Sequence, residues 1–212
     1  MKCEQPTKPI IQTRKSQKAM RPGQALELLK AGNKRFVEGK MSNLDLREQV
    51  SATASGQFPY AVILSCQDSR TSSEVLFDLN KGDAFSIRIA GNVVNEDVLG
   101  GLEFSTKLMG AKLIAVIGHT RCGAITGAID NVQLDNLTAL LCKIRPAVES
   151  TRRGGLSDGK FVEAVAKANV RLAMRQIQER SPVIREMIKS EQVGIVGGMY
   201  NLTTGKVTFY EN

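Results

Sequence analysis

The sequence has no tryptophan, one histidine and four cysteines in 212 residues. Cysteines at 3, 66, 122 and 142 are too few and too widely spaced for a disulfide framework in a chain this long. None is needed, because a chain of this size buries roughly 70% of the surface its unfolded form exposes. No apolar run reaches the roughly 18 residues that suggest a membrane span. The first residues lack the apolar stretch of a signal peptide, with Ile10 and Ile11 isolated beside Pro9. Gly118-His-Thr-Arg-Cys-Gly123 has no Gly-Lys-Ser/Thr ending and so is not a phosphate-binding Walker loop. Gly194-Ile-Val-Gly-Gly198 lacks the dinucleotide fingerprint, and no G-x-S-x-G elbow surrounds Ser69.

What is present is an ordinary globular composition, 42% hydrophobic and 24% charged. The formal net charge is +8, and its distribution matters more than its size. Lys2, Lys8, Arg14, Lys15, Lys18 and Arg21 face only Glu4, which places five of the eight net charges before Pro22. A nucleic-acid domain concentrates Lys and Arg on a structured face. Here the excess reads as a solvated leader, so residues 1–21 are expected to be extended or disordered and no nucleic acid is expected as partner. The bland alternative is a partly ordered strap over the domain or over a neighbouring subunit. Residues 22–212 show no internal linker and read as one domain.

Apolar periodicity predicts a helix over 22–37, through Ala25, Leu28, Leu29 and Phe36, with Gly39 to end it. Leu46 and Val50 could anchor a short helical piece. Buried strands are predicted at 60–64, 84–90, 112–117 and 193–196, with an edge strand at 206–210. Helices are predicted between them at 74–80, capped by Ser72 or Ser73, at 96–109, after Gly123, at 136–149 with a bend or end at Pro146, and at 159–180. Ser181-Pro182 opens another. Strands alternating with helices make an α/β fold with a central, mostly parallel sheet, flanking helices and an N-terminal helical arm. In such sheets functional residues gather outside the carboxyl ends of the strands.

Two polar clusters sit at those ends. The single histidine, His119, lies three residues before Cys122 just after a predicted strand; if a helix begins there, the two share a face. That pair alone also fits a structural histidine and a small buried cysteine. Cys66, at another strand end, could supply a third ligand, and two cysteines with one histidine is a known catalytic zinc set that leaves one position open. Asp68 and Arg70 follow at once. A bidentate arginine–carboxylate pair there could orient a metal-bound water, although an ordinary structural ion pair reads the same way.

Cys66-Gln-Asp-Ser-Arg70, Phe77-Asp78, Gly82-Asp83, Arg88-Ile-Ala-Gly-Asn-Val-Val94 and Gly118-His-Thr-Arg-Cys-Gly123 together resemble the β-class carbonic anhydrases, a likeness that runs from about Pro22 to Phe209. The resemblance implies one zinc ion per subunit on Cys66, His119 and Cys122, with Asp68 and Arg70 as the catalytic dyad. It implies Gln57, Phe85 and Gly123 near the substrate pocket, carbon dioxide and bicarbonate as substrates, and hydration through a zinc-bound hydroxide. It also implies a homodimer or larger homo-oligomer, with the 22–37 helix in the dimerisation arm and the site at or close to the subunit boundary. Reduced thiolates suggest a cytoplasmic setting, or a periplasmic or organellar one if a leader has been removed. The chain departs from the family at Thr71-Ser-Ser73, at Gln67 and at Phe104, where many relatives carry tyrosine. In the family, closed sites in which the aspartate binds zinc often accompany a tryptophan in a bicarbonate pocket; its absence here favours the open form. Related readings are a hydrolase of carbon disulfide or another small heteroallene, and a bicarbonate sensor without turnover.

Overall fold

The computed structural model describes residues 11–42, 45–153 and 158–210. Five strands of the described residues form one sheet in the order β2-β1-β3-β4-β5. They are β1 Ala61–Ser65, β2 Ala84–Arg88, β3 Leu113–His119, β4 Gly194–Tyr200 and β5 Val207–Phe209. The first four are parallel and β5 runs antiparallel along β4 as the predicted edge. Every residue of β1 and β3 is buried, as expected of central strands covered on both faces.

Side-chain alternation divides the core in two. Val62, Leu64, Ile114 and Val116 face a cluster that includes Val165, Val170 and Ile177 of α9 (Asp158–Arg180). Ala61, Ile63, Ala115 and Ile117 face the other way, against Ala25 and Leu29 of α2 (Pro22–Val37) and Phe77. The helix predicted over 22–37 therefore packs one face on its own sheet. Buried Asn33 on that face makes three bonds: Nδ2 donates to the carbonyls of Leu76 (3.0 Å) and Gly205 (2.9 Å), and Oδ1 accepts from the Val207 amide (2.8 Å). One side chain thus ties α2 to the edge strand β5.

Several elements differ from the pattern, each for a local reason. Within the leader, residues 1–10 lie outside the described residues. Arg14–Ala19, expected to be extended or disordered, forms a helix, α1, capped by Thr13. Its buried Gln17 donates to the carbonyls of Pro59 (2.7 Å) and Met109 (2.8 Å), strapping α1 to the body. In α3 (Leu46–Thr53) the expected anchors Leu46 and Val50 are exposed; Gln49 is buried instead and accepts from the Lys81 amide at 2.8 Å. The helix before β2 is only α4, Ser73–Leu76. The helix expected at 96–109 is α5, Glu96–Glu103, followed by a π-helical segment, Phe104–Leu108. There the hydroxyls of Ser105 and Thr106 donate to the carbonyls of Gly101 (2.7 Å) and Leu102 (2.8 Å), and the Met109 amide reaches back to Phe104. After α6 (Gly123–Ile129), the 136–149 stretch splits into α7 (Asp135–Cys142) and α8 (Arg145–Arg153). Pro146 sits in the first turn of α8, where its missing N–H costs nothing. α10, Pro182–Lys189, starts at the Ser181 cap as predicted.

Asn33→Ala removes the clamp and strands three buried backbone groups, of which only some can recruit water. Stability in urea is expected to fall by about 2–4 kcal/mol, with the midpoint shifted and the slope unchanged. A loss below about 0.5 kcal/mol would show that β5 is held by its ladder alone.

Candidate metal centre

Parallel pairing sets the site. β1 and β3 are neighbours with Ser65 opposite Ile117, so the chain leaves both strands at the same edge of the sheet. Cys66 follows β1, His119 ends β3, and Cys122 caps α6. All three are buried. Their donor atoms lie within 4.8 Å of one another, the one such group of metal-binding side chains among the described residues. The two sulfurs are 3.9 Å apart. Tetrahedral zinc with Zn–S bonds of about 2.3 Å asks for roughly 3.8 Å between them.

His119 is turned for the purpose. Its Nδ1 lies 2.9 Å from the Thr120 carbonyl, the partner that fixes the tautomer with the proton on Nδ1. Nε2 is buried and has no hydrogen-bond partner. A buried imidazole nitrogen without a partner is costly unless a cation takes its lone pair. Thr120 is itself held, its amide donating to the Tyr200 carbonyl at 3.0 Å and its hydroxyl accepting from the Leu202 amide at 3.1 Å. His119 and Cys122 do not share a helical face. The helix begins only at Gly123, and the two ligands meet through a tight turn in which Arg121 takes a left-handed φ of 54°.

The two sulfurs are unequal. The hydrogen bond from Cys122 draws the Cys66 thiol downward against the cost of burial, and the His119 side chain and the Gly91 and Asp68 amides act in the same sense. The same bond, then burial, pushes Cys122 upward, although the Ile125 and Ala124 amides pull the other way. The site thus holds one thiolate readily and a second only with help.

Asp68 and Arg70 form a bidentate pair: Nε donates to Oδ1 at 2.9 Å and Nη2 to Oδ2 at 2.7 Å. The Arg70 amide adds a third bond to Oδ1 at 3.0 Å. Arg70 therefore holds the Asp68 carboxyl well below the usual carboxylate range, against a smaller upward push from burial. Oδ1 accepts twice and Oδ2 once, which leaves Oδ2 a lone pair. The turn that carries them is laced from below. Thr71 Oγ1 donates to the carbonyls of Cys66 and Asp68, both at 2.9 Å. Arg88 donates to the same two carbonyls, at 3.2 and 2.5 Å. Thr71 and Arg88 were given no role from sequence. Arg88 ends β2 opposite Ser65, two residues short of the predicted strand end, and its only sequence signal was its place in the Arg88-Ile-Ala-Gly-Asn-Val-Val94 run.

The substrate-pocket residues divide. Gly123 starts α6 beside the metal ligands, and a Cβ there would meet nothing within 4 Å. Gln57 does not join them: it is exposed in the loop before β1, and the five residues of that strand, about 16 Å, stand between the loop and Cys66. Phe85 pairs with Val62, four residues short of Cys66, and its ring packs edge-on against Phe104 at 6.1 Å. A groove of about 1100 Å³ lies between α2 and the β4–β5 edge, lined in part by Leu26, Ile195 and Phe209; it contains none of the three ligands. Size alone is therefore a poor guide here, and the convergent donors mark the site.

Comparison with known proteins agrees with the geometry. The sequence pattern of the carbonic anhydrase family matches residues 61–207, which includes all three ligands. The chain is 34% identical over 200 residues to carbonic anhydrase 2 of Mycobacterium tuberculosis, covering 90% of this chain and 94% of that protein. This chain belongs to the β-class carbonic anhydrases. Another carbonic anhydrase, from Mycolicibacterium smegmatis, is 33% identical over 192 residues, 88% of this chain and 92% of its own. Among solved structures, the β-carbonic anhydrase CafA of Aspergillus fumigatus superposes with a TM-score of 0.72 at 26% identity, over 78% of this chain and 81% of that one.

Proposed function

We propose that this β-class carbonic anhydrase interconverts carbon dioxide and water with bicarbonate and a proton, using one zinc ion per subunit held by Cys66, His119 and Cys122. One observation carries the reading: two buried sulfurs converge with a buried imidazole nitrogen that has no partner in the protein. Two thiolates and an imidazole leave one tetrahedral position free for water or substrate. When bound, zinc supplies a Lewis acid that makes water a nucleophile near neutral pH.

The chain's own residues do the rest. Arg70 keeps Asp68 ionised and turned into its own guanidinium, which would leave the fourth position of a bound zinc to water. A carboxylate held so far below its usual range is too weak a base to keep a proton at neutral pH. Asp68 therefore orients the reacting water by accepting a hydrogen bond on Oδ2. The Gly123 amide, a first-turn helix donor next to Cys122, would steady a bicarbonate oxygen. The chain has no second histidine, so a carboxylate, solvent or buffer carries the released proton away.

Gln57 and Phe85 reach a metal centre only from a second copy, which fits a homodimer with sites at the subunit boundary. Val75, Phe104 and Leu108 are exposed apolar groups on α4 and the π-helical segment, and Leu28, Val37, Leu46 and Val50 are exposed on α2 and α3. Such a surface suits a partner subunit. Residues 22–212 form the working domain, with α1 strapped to it through Gln17. No helix of the described residues is long and apolar enough to cross a membrane. The free thiols of Cys66, Cys122 and Cys142 suit a reducing compartment, which supports a cytoplasmic location.

Two experiments test this. Asp68→Asn should keep stoichiometric zinc while carbon dioxide hydration, followed by stopped-flow proton release, falls by about 10²-fold or more. Full activity across the pH range contradicts the role, and loss of zinc makes Asp68 part of the metal's support. Mixing inactive Gln57→Ala and Cys66→Ser chains after subunit exchange should restore up to about a quarter of wild-type turnover, since half of the dimers then hold one complete site. No recovery would place Gln57 outside its partner's site.

A further inference from the structure

Asn169 lies on α9 and is almost fully buried. Its Nδ2 donates to the Gly91 carbonyl at 2.8 Å. Gly91 in turn donates its amide to Cys66 Sγ at 3.4 Å, within reach for a sulfur acceptor. A helix side chain is thus two hydrogen bonds away from a metal-ligand sulfur.

The close approach is built in. Gly118, just before His119, has no side chain in the way of α9; a Cβ there would lie 2.7 Å from Val170 Cγ2, the residue after Asn169. Gly91 sits in the 3₁₀ turn Ala90–Asn92 with φ of 64°. A Cβ on it would lie 2.7 Å from Ile144 Cδ1 and 3.3 Å from the Ala124 Cβ. Packing therefore closes one side of the turn, and the Asn169 amide holds its carbonyl. Without that amide a left-handed glycine has many conformations to visit, and few of them aim its N–H at the sulfur. An N–H donated to a thiolate stabilises the charged form and fixes where the sulfur stands, the two properties a metal ligand needs.

We propose that Asn169 is a positioning residue for the metal centre: it holds the Ala90–Asn92 turn so that the Gly91 amide donates to Cys66 Sγ. The inference rests on the zinc reading above. It concerns a side chain that touches neither metal nor substrate, so its test reads the metal rather than turnover.

The experiment uses the full chain as wild type, Asn169→Leu, Asn169→Ala and Val165→Ala, each loaded with zinc and separately with cadmium-113. Val165, also on α9 and fully buried, is the control for lost packing alone. In chelator competition, both Asn169 variants should bind zinc about tenfold more weakly or worse, and Val165→Ala should match wild type despite a lower Tm. In the cadmium form, NMR should show scalar coupling between the metal and the Gly91 amide proton in wild type and Val165→Ala, and none in the Asn169 variants. Wild-type affinity and coupling in the Asn169 variants would overturn the inference. So would an equal loss in Val165→Ala, or failure of both Asn169 variants to fold with metal present. A wild-type chain that takes up neither metal overturns the zinc reading itself, and the inference falls with it.

Discussion

Two sulfur atoms held 3.9 Å apart in a buried site cannot both be anions unless a cation stands between them. Like charges at about 4 Å repel by about 4 kcal/mol even at an effective dielectric near 20. Without the cation one sulfur keeps its proton and donates it to the other, which is why Cys66 is drawn down and Cys122 pushed up. A divalent ion would remove the conflict and also take the lone pair of His119 Nε2, which has no hydrogen-bond partner in the protein. The surrounding structure keeps these three atoms close enough for that conflict to exist.

The sheet does the coarse positioning. Parallel β1 and β3 release Cys66 and His119 at one edge, and no side-chain interaction is needed to bring them there. Fine positioning comes from hydrogen bonds to backbone. Thr71 and Arg88 fold the turn after β1, and Thr120, tied to Tyr200 and Leu202, sets the histidine ring. Buried bonds of this kind fix geometry through groups that cannot be left unpaired, so losing one costs more than forming it gains.

The convergence of Cys66, His119 and Cys122 was legible in the sequence because strand–helix alternation predicts where parallel strands end, and these side chains, of types that can bind a metal, fell at those ends. The sheet's buried strands read from apolar runs for the same reason. Three features were not legible, and all depend on long-range contact. Leader residues 14–19 read first as solvated from their charge, with a strap over the domain as the alternative; spacing could not choose between them, and Gln17, one uncharged residue among them, finds two carbonyls from distant segments. Leu46 and Val50 had helical spacing, but spacing cannot say which face meets the core, and Gln49 took it. Gln57 and Phe85 came from family resemblance alone, and within a single chain they lie away from Cys66, His119 and Cys122.

The most direct measurement is zinc K-edge X-ray absorption on the chain loaded with one equivalent of zinc. The account predicts two sulfur scatterers at about 2.3 Å and two lighter nitrogen or oxygen scatterers at about 2.0–2.1 Å. One sulfur, four sulfurs, or failure to retain the metal would contradict it.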